Sequence, residues 1–122
     1  MAQNDEDINA LRSAPQHKDE AEAVQTIAED LELQLGTEII SAEARKRGAR
    51  NWTTEEQQRI TRLAQVFTTA EYVLRDRHDV CEWMKSPHPE LEGIPPLEAA
   101  MTEAGAQRAK YILNCLFFGL PA

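Results

Sequence analysis

Glycine is scarce in this chain, with five residues in 122, and four of its six prolines crowd into one stretch, Pro87 to Pro96. That shortage argues against a β-rich fold, whose many tight turns need residues tolerant of positive φ. Two cysteines, Cys81 and Cys115, are too few for a disulfide framework. Both fall within helical apolar patterns, where a thiol behaves as a small buried hydrophobe, so a reduced, cytoplasmic setting is expected. No apolar run reaches membrane length: the longest, Tyr111 to Leu120, is interrupted by Asn114 and is too short to cross a bilayer. The segment Met1 to Asp7 is acidic and lacks the basic start and apolar stretch of a secretory signal. In that setting the glycosylation sequon Asn51-Trp52-Thr53 carries no weight.

What the chain has in quantity is Ala, Glu, Leu, Gln and Arg, the residues that lose least on entering a helix. Its length fits one domain, and 42% hydrophobic residues are enough for a modest core. The net charge of −8 is unevenly placed. Residues 1–38 hold ten acids against Arg12 and Lys18, whereas residues 39–122 hold eleven charges of each sign and are neutral. Taken whole, this balance disfavours nucleic acid and allows docking on a basic partner.

The expected fold class is all-α: a small bundle of about six helices preceded by an acidic, disordered N-terminal arm, residues 1–17. Residues 18–49 read as an N-terminal helical pair, either a reduced helix-turn-helix or a dimerisation element. The first helix runs from Asp19 with a stripe of Val24, Ile27, Ala28, Leu31 and Leu35, and Gly36 ends it. The second is expected over Glu38 to Arg47, capped by Thr37 and ended by Gly48. The third opens on a capping box, Thr53 to Glu56, and carries Ile60, Leu63, Phe67, Ala70 and Leu74 as the spine of the fold. Asp76 caps a short fourth helix with Val80, Trp83 and Met84 on one face. Pro95 or Pro96 opens a fifth, which buries Leu97, Ala100 and Met101. The sixth spans about Glu103 to Phe118, with Ala109, Ile112, Leu113, Leu116 and Phe117 inward and Gly119 as its stop.

No residue set supplies catalysis. His78, Cys81 and His88 lack the paired spacing of a zinc site, and nothing nominates a base and orienting group for a cysteine nucleophile. No glycine-rich phosphate loop is present. The chain is therefore expected to be no enzyme, with no cofactor and no metal.

Three surfaces are candidates for contact. Arg45, Lys46, Arg47 and Arg50, with Arg59 and Arg62 beyond, form the one basic cluster that could touch DNA phosphates. A run of cations at a helix C-terminus is also a solvated end that suits the helix dipole, with Glu55 and Glu56 placed to pair with it. The proline-rich loop, including Pro87, His88 and Leu91, either fixes an interhelical angle or presents these residues to a partner. The end of the chain, Leu116-Phe117-Phe118-Gly119-Leu120-Pro121-Ala122, is too apolar for one helix face to bury in so small a core, which points to a partner site.

From Arg50 to Ala122, about three-fifths of the chain, the sequence resembles the toxin-binding domain of the Xre/MbcA/ParS antitoxin family. The resemblance rests on the order of the long helix Ile60–Leu74, then Val80 to Pro87 with Trp83, then Leu91-Glu92-Gly93, then Pro96-Leu97-Glu98, and a closing helix ending in Phe118-Gly119. Trp83, Gly93, Pro96 and Leu97 act there as structural markers. The resemblance implies a partner toxin with a RES domain, an enzyme acting on NAD, whose NAD site the antitoxin obstructs. The apolar end with the Ala122 carboxylate would be the obstructing wedge. A homodimer or a heterotetramer with the toxin is compatible with this, and no membrane is involved. Many such antitoxins also carry a helix-turn-helix and repress their own operon. The segment before Arg50 is shorter than that domain, and DNA-binding autoregulation without direct toxin blocking is the alternative reading.

Overall fold

The computed structural model describes residues 15–121. These form six α-helices: α1 Pro15–Leu35, α2 Ala42–Arg47, α3 Thr54–Leu74, α4 Arg77–Lys85, α5 Pro96–Ala99 and α6 Glu103–Phe118. Two 3₁₀ turns, Ala49–Asn51 and Pro89–Leu91, complete the order, and no β-strand occurs among the described residues. The expected all-α bundle of about six helices is what the chain adopts. The acidic arm lies, through residue 14, outside the described residues, and α1 starts at Pro15 rather than Asp19.

The caps read for the third, fourth and fifth helices are in place. Thr53 Oγ1 accepts from Glu56 N while Glu56 Oε1 accepts from Thr53 N, closing the capping box of α3. Asp76 accepts from Asp79 N to start α4, and Pro96 holds the first position of α5. The second helix is shorter than expected. Glu38 to Ser41 is not helical, and Ser41, not Thr37, is its cap, accepting from Ala44 N. The reason lies in α1. Glu32 reaches across and accepts from Ile39 N at 2.8 Å and Ile40 N at 2.9 Å, holding that stretch extended. Arg45 Nη2 donates to the same carboxylate at 3.0 and 2.9 Å.

The core forms where α3 meets α1, α4 and α6. Its main cluster joins Leu31 and Leu35 of α1 to Leu63, Val66, Phe67 and Ala70 of α3, Val80 and Met84 of α4, and Ala106, Ala109 and Leu113 of α6. Residues 18–49 therefore share one core with residues 50–122. Their joint is also polar, since Cys81 Sγ donates to Gln34 O and Lys85 Nζ to Leu35 O, satisfying the last carbonyls of α1. A second cluster gathers Ala21, Ala28, Ile40, Ala44, Ala49, Trp52 and Ile60. Trp52 donates from Nε1 to Ala44 O at 2.8 Å and closes α2 from below. Ile27, expected in the α1 stripe, is exposed, and Ala21 is buried instead.

Cross-helix contacts give the direction of packing. Arg62 Nη2 donates to Met101 O, Lys110 Nζ to Gln65 Oε1, and Tyr72 meets Phe117. Residue numbers rise together on the two sides, so α3 and α6 run parallel and both finish at one end of the bundle.

Candidate functional site

At that end the core runs out. Ala70 is its last fully buried residue on α3, and Leu74 one turn later is only half-buried. The last turn of α6 thus hangs beyond the packed layers. Cys115 turns inward, whereas Leu116 and Phe117, expected to face the core, are 51% and 45% exposed. Phe118 and Leu120 are more exposed still, at 69% and 59%. Leu116 and Phe117, expected inward, thus lie at the surface: the helical stripe continues, but the turn of α3 beside it, at Tyr72, is itself exposed.

These apolar groups are held in place. Gly119 takes the left-handed conformation at φ 69°, which costs glycine nothing. Its N–H donates to Leu116 O, and Leu120 N donates to Cys115 O at 2.8 Å, a Schellman motif that fixes the tail beyond the helix. Tyr72 from α3 and Phe117 stand 5.4 Å apart, and Phe117 meets Phe118 edge-on at 5.1 Å. Three exposed rings thus form one interlocked aromatic surface, in geometries that favour ring pairs. The sequence reading named the two phenylalanines and missed Tyr72, whose position on another helix no local pattern reveals. Gly119, Leu120 and Pro121 continue that surface as exposed residues, and Ala122 lies outside the described residues.

The proline-rich loop is built differently. His88 N donates to Ile94 O and Gly93 N to His88 O, so the loop is cross-tied at its neck. Gly93 sits at φ 82°, which only glycine adopts freely. The His88 ring stands edge-on to Trp83, with Nδ1 accepting from Glu90 N. Leu91 is buried beside Ala99 and Ile112, with Trp83 packed against them, so it supports the loop from inside. Pro87 and Pro89 remain exposed and His88 half-exposed. Trp83 is half-buried, and it packs against both the main core and the Leu91 cluster. Pro96 is fully buried and Leu97 half-buried against the main core. Arg108 of α6 pairs with Glu90 at 3.0 Å and lies 5.4 Å from the Tyr111 ring centre. Loop and tail therefore both rest on α6, roughly 15 Å apart along its axis from residue 108 to 118.

The basic cluster is spent internally for the most part. Arg45 belongs to the Glu32 clamp, and Arg47 donates to both oxygens of Glu56 at 3.0 and 2.7 Å. That pairing and the Thr53 N–H lower the Glu56 pKa to about 2. Arg50 stands 4.0 Å from Glu22, a loose contact, and Lys46 has no ion pair among the described residues. His78, Cys81 and His88 go to separate partners: Glu82, Gln34 O and Glu90 N. Among the described residues no group of three or more His, Cys, Asp or Glu could hold a metal ion. No helix among them is long and apolar enough to cross a membrane.

Residues 69–117 match the family described as the antitoxin Xre/MbcA/ParS C-terminal toxin-binding domain. The match opens near the end of α3, one turn before Tyr72, and closes at Phe117. It takes in the loop and Trp83 but none of α1 or α2. No curated protein matches the chain.

Proposed function

We propose that this chain, whose residues 69–117 match the C-terminal toxin-binding domain of the Xre/MbcA/ParS antitoxin family, is the antitoxin of a type II module acting in the cytoplasm. It binds a RES-domain toxin and blocks the toxin's NAD site with the aromatic end of α6. The observation that carries this reading is the Tyr72–Phe117–Phe118 surface, exposed at the point where the family match ends. A pocket shaped for the nicotinamide and phosphates of NAD offers an apolar slot beside cationic donors. The ring edges fill the slot, and burying two such rings at an interface centre supplies affinity of the hot-spot kind. No bond is made or broken by this chain. Obstruction alone suffices.

The test is co-expression of a RES toxin encoded beside this gene with the parent chain or with Phe117→Ala/Phe118→Ala. Both rings are exposed, so the double variant should keep its helical circular dichroism and lose little stability. It should fail to protect cells, and the purified toxin should consume NAD in its presence. Full protection by the double variant would place the blocking surface elsewhere. NAD consumption by the antitoxin alone would overturn the reading of a purely obstructive role.

A further inference from the structure

The corner between α3 and α4 is strained, and it adjoins the aromatic surface. Arg75 sits at φ 66°, ψ −37°, and Asp76 N donates to Leu74 O at 2.7 Å across it. This is a γ-turn of the rare positive-φ form, a conformation that glycine relieves and a branched-off side chain makes costly. Arg75 follows Tyr72 by three residues, at the end of the bundle where α6 also finishes. Strain of this kind gathers at functional sites, and here it lies beside an unpartnered apolar surface.

The charges at this corner are unlike those elsewhere. Among the described residues eight arginines occur, and six have a carboxylate within 4.0 Å: Arg45, Arg47, Arg50, Arg59, Arg62 and Arg108. The other two are Arg75 and Arg77, one on each side of Asp76. Glu71, Asp76 and Asp79 are close in sequence, yet none pairs with either arginine, and the Asp76 carboxylate is taken by the Asp79 N–H. In a chain with 21 acids against 13 basic side chains, two arginines flanking Asp76 and left without an acid are not explained by a shortage of partners.

We infer that Arg75 and Arg77 form a basic rim to the aromatic surface and meet carboxylates on the toxin's outer edge, on the side of the apolar slot away from its cationic donors. This rests on the toxin-binding reading above and adds to it the chemistry of the partner's edge: acidic, beside a slot that accepts aromatic rings. Rim charges of this kind act chiefly on the rate of association and its salt dependence, while the buried rings set the dissociation rate.

The experiment measures association with the purified toxin encoded by the adjoining gene, at low and at high salt. It compares the parent, Arg75→Glu/Arg77→Glu, Arg75→Gly and Phe117→Ala/Phe118→Ala. The charge reversal should slow association about tenfold at low salt, with the difference closing at high salt. Arg75→Gly relieves the turn, so its melting temperature should equal or exceed the parent's while association still slows. That pair of results separates contact from folding. The phenylalanine variant should instead speed dissociation. A charge reversal that associates at the parental rate at low salt overturns the basic rim and leaves the toxin-binding reading intact. A parent chain that does not bind the toxin overturns both. Should the reversal spare toxin binding but abolish retention of the chain on its promoter duplex, the arginines contact phosphate and the acidic-rim inference fails.

Discussion

Replacing Glu32 by glutamine tests how firmly the N-terminal helix is built into this fold. Its carboxylate accepts two backbone N–H groups, those of Ile39 and Ile40, and takes the Arg45 guanidinium on both oxygens. The side chain is only 16% exposed, so water cannot freely take over. Glutamine keeps the shape but puts an NH₂ donor where a second acceptor stood, facing groups that are all donors. At least one backbone donor loses its partner, and the rest fall from charge-assisted to neutral bonds. Hydrogen bonds to a charged group contribute about 1.5–3 kcal/mol each, and a surface ion pair about 0–1 kcal/mol. The expected loss is about 3 kcal/mol, which for a chain of this length lowers the melting temperature by about 12 °C. Arg45→Gln, which leaves both backbone bonds in place, should cost about 1 kcal/mol or less.

The pH dependence supplies an independent check. Burial pushes the Glu32 pKa up, but the N–H groups of Ile40 and Ile39 and the Arg45 guanidinium more than offset it, so the net displacement is downward from 4.5. A carboxyl whose folded pKa is depressed stabilises the fold above its unfolded pKa and loses that contribution as pH falls through the folded value. The gap between the parent and Glu32→Gln should therefore be full at neutral pH and shrink below about 4.5. Thermal unfolding followed by circular dichroism reads both. If Glu32→Gln costs no more than Arg45→Gln, the backbone bonds contribute nothing net, and the clamp is an ordinary surface ion pair.

Three further outcomes are expected. Gly105→Ala should lower the melting temperature although alanine is the better helix former, because a Cβ there would overlap the Ala99 carbonyl at the α5–α6 joint; an unchanged or higher value would mean that joint yields freely. Glu56, held near pKa 2 by Arg47 and the Thr53 N–H, stabilises above its unfolded value of 4.5 and ceases to as pH falls toward 2. The melting-temperature gap between the parent and Glu56→Gln should therefore be present at pH 6 and close on acidification, and a constant gap would refute it. Should the chain repress its own operon, the contact should run through Lys46 and Arg50, since Arg45 and Arg47 are engaged. Lys46→Ala/Arg50→Ala in the toxin complex should then weaken retardation of the promoter fragment and flatten its salt dependence, and equal retardation would remove this cluster from DNA binding.

Much of the fold was legible because helix boundaries are encoded locally. Thr53, Glu56, Asp76, Pro96, Gly36, Gly48 and Gly119 all act where a short-range rule puts them. What failed depended on contacts distant in sequence. Ile39 and Ile40 look like the start of a helix until the Glu32 carboxylate, seven and eight residues earlier, takes their N–H groups. Leu116 and Phe117 continue the inward stripe of α6, and no periodicity announces that the turn of α3 beside them, at Tyr72, lies at the surface. Trp52 drew no structural expectation, yet it fastens α2 through a bond to Ala44 O. Leu91 was a candidate contact in a loop that reads as exposed, but its apolar side chain completes the cluster under Trp83. The aromatic end of the chain was legible from composition alone, since too many large groups crowd too few positions. Its third ring, Tyr72, was not.

The distribution of aromatic residues ties charge to function. Seven occur in the chain. Trp52 and Phe67 are buried and Trp83 half-buried, while Tyr72, Tyr111, Phe117 and Phe118 are all exposed. The core is filled instead by Leu, Ile, Val, Met and Ala, with Ala106 and Ala109 letting α6 lie close to the rest. The rings that could contribute most to burial thus lie outside, on α6 and the end of α3. Such a surface invites self-association whenever no partner covers it. A net charge of −8 opposes that, because two copies approaching end to end repel. The excess acid lies within residues 1–38, of which Glu22, Glu29, Asp30 and Glu38 are exposed, so repulsion is supplied without placing an acid among the rings. On the toxin-binding reading proposed above, the acidic N-terminal part keeps free copies apart, and the apolar end is kept for a partner whose acidic edge meets Arg75 and Arg77.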